Sequence, residues 1–194
     1  MTAVTLVDLG YGNLGSIETA LRRLGADVRR TSEAEGIAGA ERLLLPGVGA
    51  AGFAMERIAS LGLADALRGF TGPALGICLG MHLLFERSEE GDVALLGLLP
   101  GYVRKMTSSA TVTVPHMGWS KIETDAAEIG LTSGDYVYFA HSYAAPDGPA
   151  TIARAHHGIP VPAVVRSGNW TGAQFHPERS GPVGARFLEA WLTA

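Results

Sequence analysis

The sequence predicts an α/β fold. A parallel sheet covered by helices on both faces occupies the first half and leads into antiparallel strands in the second. Three observations carry this expectation. Short apolar runs alternate with helical patterns as far as Glu86. Beyond about residue 100, strand candidates follow one another, with Ser133-Gly134, Asp147-Gly148 and Ser167-Gly168 in the links. The chain has 194 residues, 47% hydrophobic and 18% charged, enough to bury a core and too apolar for a disordered chain.

The elements follow in order. Val4 to Leu9 reads as a buried strand. The next segment sets Ile17, Ala20, Leu21 and Leu24 on one helical face and stops at Gly25. Asp27 to Thr31 is a second strand, and Leu43-Leu44-Leu45 a third, ended by Pro46. Residues 50–69 read as helical, interrupted near Gly62. Ala74 to Ile77 is a fourth strand, and Leu79 to Glu86 a helix. In the second half Val103–Met106, Val112–Val114, Tyr136–Phe139, Thr151–Ala155, Val161–Arg166 and Trp170–Phe175 are short strands. Pro182 to Leu192 is a last helix, carrying Phe187, Leu188 and Trp191.

Composition narrows the function. A net charge of −4 gives no general affinity for nucleic acid or for an anionic membrane. The low charged fraction leaves apolar surface for a protein partner. Cys78 is the only cysteine, which excludes an internal disulfide and a multi-cysteine metal site and fits a reducing compartment. The start, Met1 to Asp8, has no basic leader, and the uncharged stretch Gly69–Phe85 is broken by Pro73 and by glycines. A cytoplasmic protein is expected, with no metal and no cofactor.

Gly10-Tyr11-Gly12-Asn13-Leu14-Gly15 matches G-x-G-x-x-G between a strand and a helix, where a dinucleotide would bind. Arg29 and Arg30 could then meet a 2′-phosphate, which makes an NADP-binding oxidoreductase the alternative from another class. The same glycines serve a strand–helix turn for backbone reasons alone, and the turn is the preferred reading. Asn13 is read first as a helix cap and second as a polar group aimed into a cleft.

Gly76-Ile77-Cys78-Leu79-Gly80 is the cysteine form of the nucleophile elbow. The flanking glycines leave room for a sharp, strained turn that lifts the sulfur above the sheet edge. A helix N-terminus there favours the thiolate, and the Leu79 N–H is placed to meet an oxyanion. The competing reading is a buried structural cysteine. His176-Pro177-Glu178 supplies a base and its orienting acid. Pro177 holds His176 extended, so residues two apart face the same side. Such a base contributes ~10²–10⁴-fold. Taken alone, the pair could equally be a surface contact. His82 lies one helical turn after Cys78 and can reach the same cleft. His156 and His157 are adjacent and lack metal-ligand spacing.

The elbow with Phe175-His176-Pro177-Glu178 resembles the class I, triad-type glutamine amidotransferases. Four further segments are similar to the glutaminase subunits of imidazole glycerol phosphate synthase. They are Asp8–Leu14, Leu45-Pro46-Gly47-Val48-Gly49, Pro115-His116-Met117-Gly118-Trp119 and Tyr138–Tyr143. The resemblance runs from residue 4 to the C-terminus. It implies a flavodoxin-like glutaminase fold as one domain over residues 1–194. It implies Cys78 as nucleophile, His176 as base and Glu178 as orienting acid. An oxyanion hole would form from Leu79, Val48 and Gly49, with a peptide beside Val48 able to flip. Substrate contacts would come from Gly47, Gly49, His82, Ser142 and Tyr143. The partner implied is a (β/α)₈-barrel cyclase in a 1:1 heterodimer, met near Asn13, Pro115, Met117, Trp119 and Tyr138. His82 departs from the family, which commonly has Gln there, and the run Ala50–Phe53 differs in detail. A glutaminase subunit of another pathway is the alternative within the class.

Overall fold

The computed structural model describes residues 1–194. In the first half, β1 (Ala3–Val7), α1 (Leu14–Arg23), β2 (Asp27–Thr31), α2 (Ala34–Ala38), β3 (Leu43–Gly47), α3 (Ala51–Ser60), α4 (Ala64–Gly69), β4 (Ala74–Cys78) and α5 (Leu79–His82) alternate as expected. Then come β5 (Arg87–Ser88), β6 (Val93–Ala94), β7 (Tyr102–Lys105), β8 (His116–Thr124), β9 (Tyr136–His141) and β10 (Tyr143–Ala144). The chain closes with β11 (Thr151–His156), β12 (Pro160–Ser167), β13 (Trp170–Ala173) and α6 (Gly181–Thr193).

Nine strands form one sheet in the order β2-β1-β3-β4-β13-β12-β11-β8-β9. Pairing is parallel from β2 to β13 and antiparallel from β13 to β9. The order 2-1-3-4 is that of the flavodoxin-like sheets, not the 3-2-1-4 order of dinucleotide-binding folds. Alternation along each strand divides the core between two faces. Leu6 and Leu44 pack with Ile17, Phe187 and Leu188, beneath α1 and α6. Val7, Leu43 and Leu45 pack with Ile58 and Leu67, beneath α3 and α4.

Several expectations are corrected. Val112–Val114 is not a strand; Val112 instead closes a turn with Ser109. The longest strand, β8, covers a segment not read as one. Its polar and glycine residues lie on a half-exposed face and break the apolar run. The helix after β4 stops at His82 rather than Glu86, because the Leu83, Leu84 and Phe85 carbonyls accept from Leu96, Leu98 and Gly97 instead of from a continuing helix. Strand β3 runs through Pro46 to Gly47. It pairs with β1 only as far as Leu44, so Pro46 breaks no ladder bond on that side. A small second sheet, β10-β7-β5-β6, was not foreseen. No helix is long and apolar enough to cross a membrane.

Candidate active site

The site forms where β4 turns into α5. Cys78 has φ +53° and ψ −109°, a conformation L side chains rarely adopt. The elbow holds because its glycines permit close approach. A Cβ on Gly76 would sit 2.5 Å from the Gly80 carbonyl oxygen, and one on Gly80 would strike the Leu45 carbonyl. The turn leaves the Cys78 sulfur 3.9 Å from the Ala140 carbonyl and 3.9 Å from Nε2 of Gln174.

His176 follows β13, the parallel neighbour of β4. Its N–H donates to the Tyr138 carbonyl at 2.9 Å, and Ser180 Oγ donates to the His176 carbonyl at 2.7 Å. The imidazole Nδ1 meets Glu178 Oε1 at 2.8 Å, which leaves Nε2 for the thiol. Burial pulls the imidazole toward neutrality. Hydrogen bonds with Cys78 and Glu178, and the charges of both, outweigh that and push its pKa up to about 10. A thiol, an imidazole and a carboxylate in series can ionise a sulfur nucleophile and then protonate a leaving group.

These groups open on a cavity of about 390 Å³. Val48, Gly49, Leu79, His82, Ser142 and Tyr143 line it, as do Pro115 and Met117. Gly47 does not. It lies behind the elbow, where a Cβ would sit 2.6 Å from the Gly80 nitrogen. Asn13 is also outside the cavity, in a neighbouring recess with Gly12 and Val48. It stands at the N-cap position of α1, yet its side chain caps no backbone N–H and instead donates to Ser16 Oγ at 3.3 Å. Trp119 and Tyr138 are paired across the β8–β9 hairpin beside the cavity, their rings 6.1 Å apart. Met117 is 66% and Trp119 54% exposed, so the rim is apolar and open.

The glycine loop of residues 10–15 lacks the setting of a dinucleotide site. The recess between it and Val48 measures only about 20 Å³, and the strand order is not that of the dinucleotide-binding folds. Arg29 pairs with Asp27 and Arg30 with Glu18. Gly10 and Gly12 have φ of +81° and +86°, which accounts for the turn.

The sequence reading missed three residues. Gln174 is fully buried behind Cys78, and its Oε1 lies 2.6 Å from His82 Nε2. It stands two residues before His176 in an extended run, a spacing that signals the same face. Glu90 lines the cavity and accepts the Ala51 N–H at 2.8 Å, satisfying an orphan donor at the start of α3. Arg179 also lines it, its guanidinium 4.3 Å from the centre of the Tyr138 ring. No local pattern marked Glu90 or Arg179.

The family model for glutamine amidotransferase class-I matches residues 5–193. A protein of Xanthomonas euvesicatoria pv. vesicatoria, named imidazole glycerol phosphate synthase subunit HisH, is 52% identical over 99% of this chain and 98% of its own. The chain belongs to the class-I glutamine amidotransferases, in the HisH family. A HisH of Xylella fastidiosa strain Temecula1 is 49% identical to this amidotransferase over the same shares of both chains. A crystal structure of a glutamine amidotransferase superposes with a TM-score of 0.77 at 21% identity, over 98% of this chain and 97% of that one. The PurLQS structure from Thermotoga maritima gives 0.69 at 22%, over 100% and 99%. At those identities the structures bear on the fold of the amidotransferase alone.

Proposed function

We propose that Cys78, His176 and Glu178 release ammonia from glutamine and that the ammonia passes to a separate cyclase subunit. The observation that carries this reading is the strained Cys78 elbow meeting the His176–Glu178 pair at one cavity. Cys78 attacks the side-chain amide carbon. The oxyanion is met by the Leu79 N–H and by backbone at Val48 and Gly49, each donor worth ~10²–10³ in rate. His176 passes its proton to the leaving ammonia, and a thioester forms. Water, deprotonated by His176, then cleaves the thioester to glutamate and restores the thiol. Glu178 fixes the ring and supports its charged form. Glu90 and Arg179 add one negative and one positive group to the cavity wall, complementary to the ammonium and carboxylate of an amino acid. His82, Ser142 and Tyr143 complete the wall.

The HisH relatives are named as subunits of imidazole glycerol phosphate synthase. For this chain the proposed partner is a (β/α)₈-barrel cyclase in a 1:1 complex, converting ammonia and a phosphoribulosyl nucleotide to imidazole glycerol phosphate and the purine precursor carboxamide. The exposed Met117 and Trp119 beside Pro115 and Tyr138 supply an apolar rim for it, with Asn13 nearby.

The test is glutamate release from glutamine by the chain alone and with a cyclase barrel plus its nucleotide ligand. Cys78→Ala is the control. Activation by the liganded barrel, lost in the variant, supports both the thiol chemistry and the partner. Turnover indifferent to the barrel would move the chain to another pathway.

A further inference from the structure

A second polar chain reaches Cys78 from behind the cavity. Gln174 lies between the sulfur and His82, with Nε2 3.9 Å from Sγ and Oε1 2.6 Å from His82 Nε2. Gln174 is 0% exposed and His82 5% exposed. A buried amide has few partners to choose from, so its two ends report what each neighbour is. With Oε1 toward the ring, His82 Nε2 carries the hydrogen and donates, since an amide oxygen only accepts. The same orientation turns the amide NH₂ toward the sulfur, as an ionised sulfur requires. Burial holds the His82 pKa down to about 4, against the Gln174 bond, so the ring is neutral and its single N–H is committed.

We infer that His82 is a positioning residue that locks the Gln174 amide as a hydrogen-bond donor to the Cys78 thiolate. The inference rests on Cys78 being the nucleophile, as proposed above, and assigns His82 a role different from binding substrate. Local packing supports it. Gly172 faces the helix turn that carries His82, and a Cβ there would sit 2.7 Å from Met81 Cγ, so β13 and α5 can lie close enough for the 2.6 Å contact. The amide supplies a neutral donor, complementing the charged partner His176 on the other side of the sulfur.

The experiment compares His82→Leu, His82→Gln and Gln174→Leu in the full chain. One readout is the rate at which iodoacetamide alkylates Cys78 at pH 7. The other is glutaminase kcat and KM with the cyclase barrel at saturation. Losing one donor to a charged sulfur is expected to slow alkylation and kcat about tenfold in His82→Leu and Gln174→Leu, with KM within about twofold. The two substitutions combined should be no worse than either alone, because they break one chain. His82→Gln keeps an N–H donor and should restore most of the rate. Thermal melts establish that each variant is folded, and Gln174→Leu with His82→Gln carries the test if His82→Leu is not. A raised KM with unchanged alkylation in His82→Leu overturns the inference and makes His82 a substrate contact. Additive losses in the double variant overturn it too. Turnover that survives Cys78→Ala overturns instead the nucleophile reading beneath it.

Discussion

Two sides of the same cavity hold buried histidines in opposite states. On one side His176, 8% exposed, is pushed up to about 10. On the other, His82 is held down to about 4 and His141 to about 3, at 5% and 6% exposure. Burial works against the charge in all three. The partners differ. His176 has a carboxylate and a thiol. His82 has an amide. His141 donates from Nδ1 to the Tyr143 carbonyl at 2.8 Å and accepts at Nε2 from His116 Nδ1 at 3.0 Å. The lesson is that depth does not distinguish the proposed base from the neutral imidazoles; the charge of its neighbours does.

Removing the working side has the largest effect. Cys78→Ala or His176→Ala should lower glutamine turnover by ~10⁴-fold or more, read as glutamate release with the barrel present. Glu178→Gln should cost ~10²-fold or more and make His176 more like its counterparts across the cavity. Without the carboxylate, the imidazolium gives up its proton at lower pH. The alkaline limb of the kcat profile should therefore move toward neutrality, and an unmoved limb would show that Cys78 alone sets the state of His176.

The two sides also pull stability in opposite directions with pH. His176 binds its proton more tightly folded than unfolded. Its contribution is complete below pH 6.5 and is lost as pH rises toward about 10. His82, His116 and His141 bind theirs more weakly folded, with values near 4, 4 and 3. Their contribution is present above pH 6.5 and is lost as pH falls through those values. Melting temperature should therefore fall on both sides of about pH 6.5. Glu178→Gln should flatten the alkaline fall only, and His141→Gln the acid fall only. A single variant that flattened both limbs would break the separation of the two sides.

How much of this was legible follows the same division. The parallel half was readable because its central strands, β3 and β4, are buried on both faces and appear as plain apolar runs. Strand β2 was read to the residue, Asp27–Thr31, and Cys78 was placed at the strand–helix turn. Strand β8 was not readable, since Met117, Trp119 and Lys121 face outward between glycine and serine. Two-residue strands such as β5 and β6 are too short to carry a period. In the site, His176 and Glu178 are close in sequence, and their spacing announced them. Gln174 was within reach by the same two-residue rule. Its partnership with His82 was not, because 92 residues separate them and only the packing of α5 on β13 joins them.

The smallest expected effect lies at the end of the neutral chain. Ser120 Oγ is 2.7 Å from His116 Nε2. The order of donors is fixed from the far end. The Tyr143 carbonyl only accepts, so His141 Nδ1 donates to it, and His141 Nε2 must accept from His116 Nδ1. His116 Nε2 is then a bare acceptor, and Ser120 must donate. Ser120→Ala leaves that acceptor without its partner, at a cost of ~1 kcal/mol in urea unfolding. The hydroxyl can also turn to accept from Nε2 of a protonated His116, and that charge-assisted bond is stronger than the neutral one. The cost should therefore persist at neutral pH and grow as the pH approaches about 4. A cost that shrinks as the pH falls would mean that Ser120 serves His116 as a donor only.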